Sequence, residues 1–362
     1  MRFGLLCSAG PKAEGFKAVL DARGHPAPLH FTFQQFIQNK IAFEDILKKI
    51  NILRIDSPGG GYDIWKSFAD HLAIPTSGYQ SRHGQIYPQG PFVDGTYACI
   101  KSACDMARQH DVLCTVDPLA VQCFMDKRAT HDLTTPIIPT PEALPEVKGW
   151  DPLHNAMKAR GIRNVFMKLR YGSAASGVLA IETFGSKLRL WTSVERVQMK
   201  GETQLYNSLR IRKYLDHEAK HIIDDVAILG VHTEAWIPKL RLDNKPCDLR
   251  LLVVDGQPAH CVVRCSSTPL TNLHLSNARL DVDVVRQQLP KQTWRQVLEI
   301  GMKAGQLFPD HLCIGVDIAL HKDSYKPYLL EVNAFGDHLN NVTYEGLNPY
   351  EFQIRLLEKK VA

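Results

Sequence analysis

Along residues 1 to about 117, short apolar runs alternate with helix-period stretches. Phe3–Cys7 reads as a strand, Phe16–Ala22 as a helix stopped by Gly24, and Ile52–Ile55 as a second strand. Ser57-Pro58-Gly59-Gly60-Gly61 then interrupts the chain before a helix from about Tyr62. Such alternation predicts an open α/β sheet. The glycine turn falls at the carboxyl end of a strand, where open sheets bind ligands. It lacks the G-x-G-x-x-G spacing, and a plain tight turn is the simpler reading.

Prolines 136, 139, 141, 145 and 152 predict an ordered connection to a second module. Strands are expected at Asn164–Leu169, Lys187–Thr192, Val231–Ile237, Leu249–Asp255 and Ala259–Cys265, the last two joined by the hairpin signal Asp255-Gly256. A basic helix is expected over roughly Leu205 to Ile223 and another around Thr293–Leu307, and Pro349 opens a final helix. Two apolar strands, Ile314–Leu320 and Tyr328–Asn333, close the pattern.

Those closing strands carry the densest chemistry. Paired side by side they would place Asp317, Glu331 and Asn333 around one hard cation, an ordinary strand end being the alternative, and Mg²⁺ prefers such oxygen ligands while leaving positions for water and phosphate. Upstream, the strand bearing Lys168 runs into Tyr171-Gly172-Ser173-Ala174-Ala175-Ser176-Gly177. A loop of Gly, Ser and Ala lets backbone N–H groups approach an anion, with Lys168 adding a point charge. The order differs from a P-loop, where the lysine follows the glycines at a helix start.

The chain of 362 residues, 44% hydrophobic, is long enough for two or three packed modules. A formal charge of +5, with basic and acidic residues interspersed, does not suggest a nucleic-acid surface. Nine scattered cysteines without a C-x-x-C pair point to reduced thiols and a cytosolic compartment, and Cys261 and Cys265 read as packing residues rather than zinc ligands. Neither a secretory h-region nor a membrane span is predicted.

Asp126-Lys127, Lys168 with its small-residue loop, Glu234 in Thr233–Lys239, Asp248-Leu249-Arg250, Arg264, Thr271-Asn272-Leu273-His274 and the D…E-x-N strands occur in one order. In this the chain resembles the ATP-grasp superfamily over roughly residues 120 to 345, and within it the RimK-type carboxylate–amine ligases. Where that branch has two glycines after its asparagine loop, this chain has Ser276-Asn277.

The resemblance implies an α/β protein: an N-terminal open-sheet domain over 1–117, a central ATP-grasp lobe over 118–237 and a C-terminal lobe with the metal site over 238–362. It implies ATP and Mg²⁺, with Lys127 and Lys168 at the α- and β-phosphates and Gly172, Ser173, Ser176 and Gly177 folding over the triphosphate. Glu234 would open the adenine hinge, with backbone groups near Trp236 and Ile237 reading the purine. Arg250 and Arg264 would face the transferring phosphoryl group, and Asn272 the phosphate or acceptor. The implied partners are a small-molecule carboxylate and an amine, or a peptide. An ATP-grasp kinase or a non-catalytic nucleotide-binding module uses the same residues. Ser57, Tyr62, Arg82, His83 and Tyr87 carry no pattern beyond surface polarity, and oligomeric state is not encoded in any motif.

Overall fold

A computed structural model describes residues 1–76, 84–172, 176–199, 201–271, 278–337 and 339–361. Among these residues the strands form three sheets. The first is parallel, in the order β2-β1-β3-β4, from β1 (Phe3–Leu6), β2 (Leu29–Phe31), β3 (Ile52–Ile55) and β4 (Leu113–Cys114). Every residue of β1 and β3 is buried, as parallel strands covered on both faces require. The first helix, Pro11–Ala22, starts earlier than its apolar pattern suggests. Pro11 has its φ preset for a first turn and has no N–H to leave unpaired.

The second sheet is antiparallel, in the order β8-β7-β6-β5-β9, from β5 (Asn164–Leu169), β6 (Val178–Phe184), β7 (Lys187–Met199), β8 (Glu202–Leu215) and β9 (Val231–Ala235). Here the expected basic helix over 205–223 is corrected. Residues 202–215 pair with β7 from Met199↔Glu202 to Arg189↔Leu215, and the helix, Asp216–Ala227, begins only afterwards. Tyr206, Asn207, Ser208, Ile211 and Tyr214 are poor helix formers, and the long ladder outweighs the amphipathic spacing of the basic residues. The same ladder extends β7 beyond the expected Thr192.

The third sheet runs β13-β12-β11-β14-β15, from β10 (Arg241–Leu242), which pairs with β11 alone, β11 (Lys245–Val254), β12 (Gln257–Cys265), β13 (Ala278–Asp281), β14 (Cys313–Leu320) and β15 (Pro327–Asn333). At the β11–β12 turn, Asp255 and Gly256 have φ of 51° and 70°, the left-handed pair a tight hairpin needs. The helix Lys291–Gln306 covers one face of this sheet. All nine cysteines are free thiols, and Cys247, Cys261 and Cys265 pack in the core. No helix among the described residues is long and apolar enough to cross a membrane.

Core packing joins the first and third sheets. One apolar cluster contains Leu53 and Ile55 of β3 together with Val316 of β14 and Val332 of β15, and another joins Phe3 of β1 to Leu252 of β11 and Phe352 of the terminal helix Pro349–Val361. The central sheet has its own core, with Val165, Met167, Leu179 and Ile181 packed against Ile222 and Val226. The cleft therefore opens between two separately cored bodies.

One glycine tests the N-terminal packing. Gly95, in the helix Gly90–Gln109, is buried so closely against the helix Tyr62–His71 that a methyl there would overlap Phe68 Cβ. Gly95→Ala is expected to lower unfolding free energy by about 2 kcal/mol in urea titrations, the overpacking cost exceeding the ~1 kcal/mol gained in helix propensity. Unchanged or raised stability would contradict this helix contact.

Candidate active site

Alternation along β5 sends Val165, Met167 and Leu169 into the central core and leaves Phe166 and Lys168 on the opposite face, toward the cleft. Lys168 is only 8% exposed. Its Nζ lies 2.6 Å from Glu234 Oε1 and donates to Leu330 O at 3.3 Å, so it touches both bodies. Glu234 sits on β9 opposite Phe166, and its Oε2 is 3.3 Å from His232 Nε2. Burial pushes the Glu234 carboxyl up, but the Lys168 ammonium and His232 outweigh it and hold it at about 2.

Lys127 occupies the first position of the helix Lys127–Thr134. Asp126 caps that helix, accepting from Arg128 N and Ala129 N at 3.0 and 3.1 Å, and takes the Arg170 guanidinium through both carboxylate oxygens. Held there, Lys127 Nζ donates to Gly172 O at 2.6 Å and pairs with Glu331 Oε1 at 3.0 Å. Gly177 closes the small-residue loop with φ of 66°, where a Cβ would overlap the Leu169 side chain. Glycine is required there on both counts.

The third sheet supplies the other wall through its register. Asp248 faces Arg264 across β11–β12, Arg250 faces Asp317 across β11–β14, and Asp317 faces Glu331 across β14–β15, with Gly315 opposite Asn333. Arg264 Nε donates to Asp248 Oδ1 at 2.7 Å, and Nη1 reaches Asp317 Oδ2 at 3.3 Å. Lys239 Nζ donates to Asp248 Oδ2 at 2.9 Å and Thr271 Oγ1 at 2.7 Å, and the Thr271 hydroxyl donates to the same carboxylate. Burial pushes the Asp248 carboxyl up, but Arg264 and Lys239 hold it at about 2.

Asp317 and Glu331 are the pair to test against a divalent cation. Arg250 Nη1 lies 2.7 Å from Asp317 Oδ1, yet neither atom makes a well-aligned hydrogen bond, so Oδ1 is buried with only a Coulombic partner. Burial pushes the Asp317 carboxyl above its ordinary range against the pull of Arg250 and Arg264, with Glu331 and Asp248 adding to the rise. An under-satisfied buried carboxylate facing a second carboxylate, with the Asn333 amide beside them, is a donor set that fits Mg²⁺. Among the described residues there is no group of three or more His, Cys, Asp or Glu side chains that could hold a metal, so the fit depends on the Asn333 amide joining the two carboxylates.

Lys127, Lys168, Gly172, Ser176, Glu234, Ile237, Arg250, Arg264, Asp317, Glu331 and Asn333 all line the one cleft. Gly177 and Trp236 stand beside it without lining it. The Trp236 N–H is spent on Asn164 O at 2.9 Å and its ring packs against Phe166 and Trp191, while Ala235 and Ile237 reach the cleft. The Glu234 carboxylate is occupied by Lys168 and His232. Ser173 and Asn272 lie outside the described residues, as do Arg82 and His83. Tyr87 is a core residue stacked on Trp65, not a surface group. Sequence reasoning passed over Lys239, Asp248, Thr271 and His232 as site residues. Asp248 is two residues before Arg250, and His232 two before Glu234, each on the same strand face as its neighbour, and that spacing was the available signal.

No family model matches the chain, and no curated protein sequence matches it. Solved structures match along its whole length. The D-cycloserine synthetase DcsG is 13% identical, with 100% of both chains covered and a TM-score of 0.57. The ATP-grasp ligase PsnB, complexed with a phosphomimetic variant of minimal precursor, Mg and ADP, is 12% identical, with 99% of this chain and 98% of that one covered and a TM-score of 0.56. The D-alanine–D-alanine ligase from Bacillus anthracis, complexed with ATP, is 11% identical over 99% of each chain with a TM-score of 0.53. At these identities the likeness is one of architecture, and with the three sheets and the inter-lobe cleft it shows that the chain has an ATP-grasp fold, an N-terminal open-sheet domain followed by two lobes.

Proposed function

We propose that this protein is an ATP-dependent carboxylate–amine ligase working through an acyl phosphate and releasing ADP and phosphate. The observation that carries the reading is the gathering of five cations on the walls of one cleft, Lys127 at Glu331, Lys168 at Glu234, Lys239 at Asp248, and Arg250 and Arg264 at Asp317. A polyanion between two lobes is the ligand such a charge pattern suits. The fold supports the same class, since the solved structures with this architecture include ligases complexed with ATP or with Mg and ADP.

In this reading, Lys127 and Lys168 bind the α- and β-phosphates, Gly172 and Ser176 belong to the loop over the triphosphate, and Ala235 to Ile237 form the adenine hinge. Asp317, Glu331 and Asn333 would hold Mg²⁺, which offsets phosphate charge when bound. Arg250 and Arg264 face the transferring phosphoryl group with rigid, permanently charged forks. The γ-phosphorus is attacked by a substrate carboxylate oxygen as its bond to the β-phosphate oxygen breaks. An amine then adds to the acyl carbon, phosphate leaves with one former carboxylate oxygen, and the amine loses its proton. The chain's contribution is positioning and charge, and no nucleophilic side chain is needed. The segments 1–117, 118–237 and 238–362 are the N-terminal, central and C-terminal units of the enzyme. The substrates are a carboxylate and an amine, either small molecules or a peptide, and PsnB, with the same architecture, has been solved in complex with a precursor peptide.

The function is tested by ADP release with Mg²⁺ and paired carboxylate and amine pools, followed by mass measurement. ADP release that needs both partners, with a product mass equal to their sum less water, is expected. A stable phosphorylated product formed without amine would select a kinase, and binding without turnover a non-catalytic module. Lys168→Ala is expected to weaken ATP binding by about tenfold or more in calorimetry, since a desolvated charge-assisted contact contributes about 1.5–3 kcal/mol. Unchanged affinity in the folded variant would remove Lys168 from the site. Asp317→Asn and Glu331→Gln take charge from the cation and little volume, and are expected to abolish turnover while preserving the circular dichroism spectrum. Near-normal turnover in Glu331→Gln at limiting Mg²⁺ would sink the metal assignment.

A further inference from the structure

In the β5–β9 register His232 stands directly opposite Lys168, two residues before Glu234 and on the same strand face. A buried strand position of this kind ordinarily takes an apolar residue, because a polar group there costs stability unless it is hydrogen-bonded. His232 and Glu234 are each 2% exposed. The two oxygens of the Glu234 carboxylate are divided between two partners, Oε1 to Lys168 Nζ at 2.6 Å and Oε2 to His232 Nε2 at 3.3 Å.

The tautomer follows from what surrounds the ring. His232 Nδ1 is buried and has no hydrogen-bond partner. A proton on Nδ1 would leave a buried N–H unpaired and turn the Nε2 lone pair toward a carboxylate, and both are costly. The proton therefore sits on Nε2 and is donated to Glu234. The ring borders a cavity of about 20 Å³, room for about one water, lined in part by Thr130, His131 and Thr134. The last torsion of a glutamate is broad and weakly restrained on its own. With Oε2 held, that torsion is set, and with it the place of the ammonium on Oε1.

We propose that His232 is a positioning residue, which by donating from Nε2 to Glu234 Oε2 orients the carboxylate that holds the Lys168 ammonium at the cleft, and so raises nucleotide affinity without touching the nucleotide. The proposal rests on the ligase reading only in placing phosphates against Lys168. The indole of Trp236 and the proposed hinge backbone lie at and beyond the end of β9 and are not called upon.

Calorimetric affinity of the full-length protein for a non-hydrolysable ATP analogue with Mg²⁺ tests it, using His232→Leu, His232→Gln, Lys168→Ala and the Lys168→Ala/His232→Leu double variant. His232→Leu is expected to weaken binding about tenfold, and His232→Gln, whose amide N–H₂ reaches the place of Nε2, to stay within about threefold of wild type. In the Lys168→Ala background the leucine substitution is expected to have no further effect, because its influence passes through the lysine; a merely structural role would add instead. Where His232→Leu does not fold, His232→Asn keeps a polar group of shorter reach and is expected to show the same tenfold loss. Wild-type affinity in these variants, or an undiminished loss in the Lys168→Ala background, overturns the role of His232 and leaves the ligase reading standing. Wild-type affinity in Lys168→Ala removes Lys168 from the nucleotide site and overturns the role of His232 with it, while the ligase reading is decided separately by the paired-substrate ADP assay.

Discussion

Two carboxylates set directly opposite each other on neighbouring strands, Asp317 of β14 and Glu331 of β15, are the constraint on which the rest of the site depends. Like charges in that relation destabilise a sheet, and burial strengthens their repulsion. The chain meets this with cations drawn from separate parts of the fold: Arg250 from β11 and Arg264 from β12 at Asp317, and Lys127 from the start of the helix Lys127–Thr134 at Glu331. Sheet stability alone would select against such a pair. Such a break with local rules is what functional positions show, and it is the reason the proposed metal site is placed here.

The same charges connect the two bodies of the molecule. The first and third sheets share a core, while the central sheet packs on its own. Across the cleft between them Lys168 of β5 reaches the Leu330 carbonyl of β15, while Lys127, whose helix packs beside β15, links Glu331 to the Gly172 carbonyl. In the proposed enzyme these are also the groups that meet the nucleotide phosphates, so closure of the lobes and binding of the polyanion draw on the same lysines. Glu234 pairs with Lys168 from within the central sheet.

Much of this was legible in the sequence because it is written in short-range periodicity. Asn164–Leu169 and Ile52–Ile55 were readable from their apolar runs, and Asp255-Gly256 from its turn chemistry, and each occurs where expected. The D…E-x-N strands showed which polar side chains would share one cleft, because alternate residues on a strand share a face. What failed depended on partners distant in sequence. Residues 205–215 have a helical spacing of charges, but β7 captures them as a strand. Trp236 stays out of the cleft lining because its backbone N–H pairs with Asn164 O and its ring packs against Phe166 and Trp191, both remote in sequence. The Lys239–Asp248–Thr271 knot joins three segments, and only the folded register brings it together.

The central claim is that the gathered charges direct attack to the γ-phosphorus by a carboxylate oxygen. With both carboxylate oxygens of the acceptor labelled by ¹⁸O, mass analysis of the released phosphate decides it. One labelled oxygen in each phosphate, in step with ADP, is the result this account requires, because the acyl phosphate surrenders that oxygen when the amine displaces it. AMP and pyrophosphate as products would place the attack at the α-phosphorus and contradict the account, and label-free phosphate would show that water, not the carboxylate, receives the phosphoryl group.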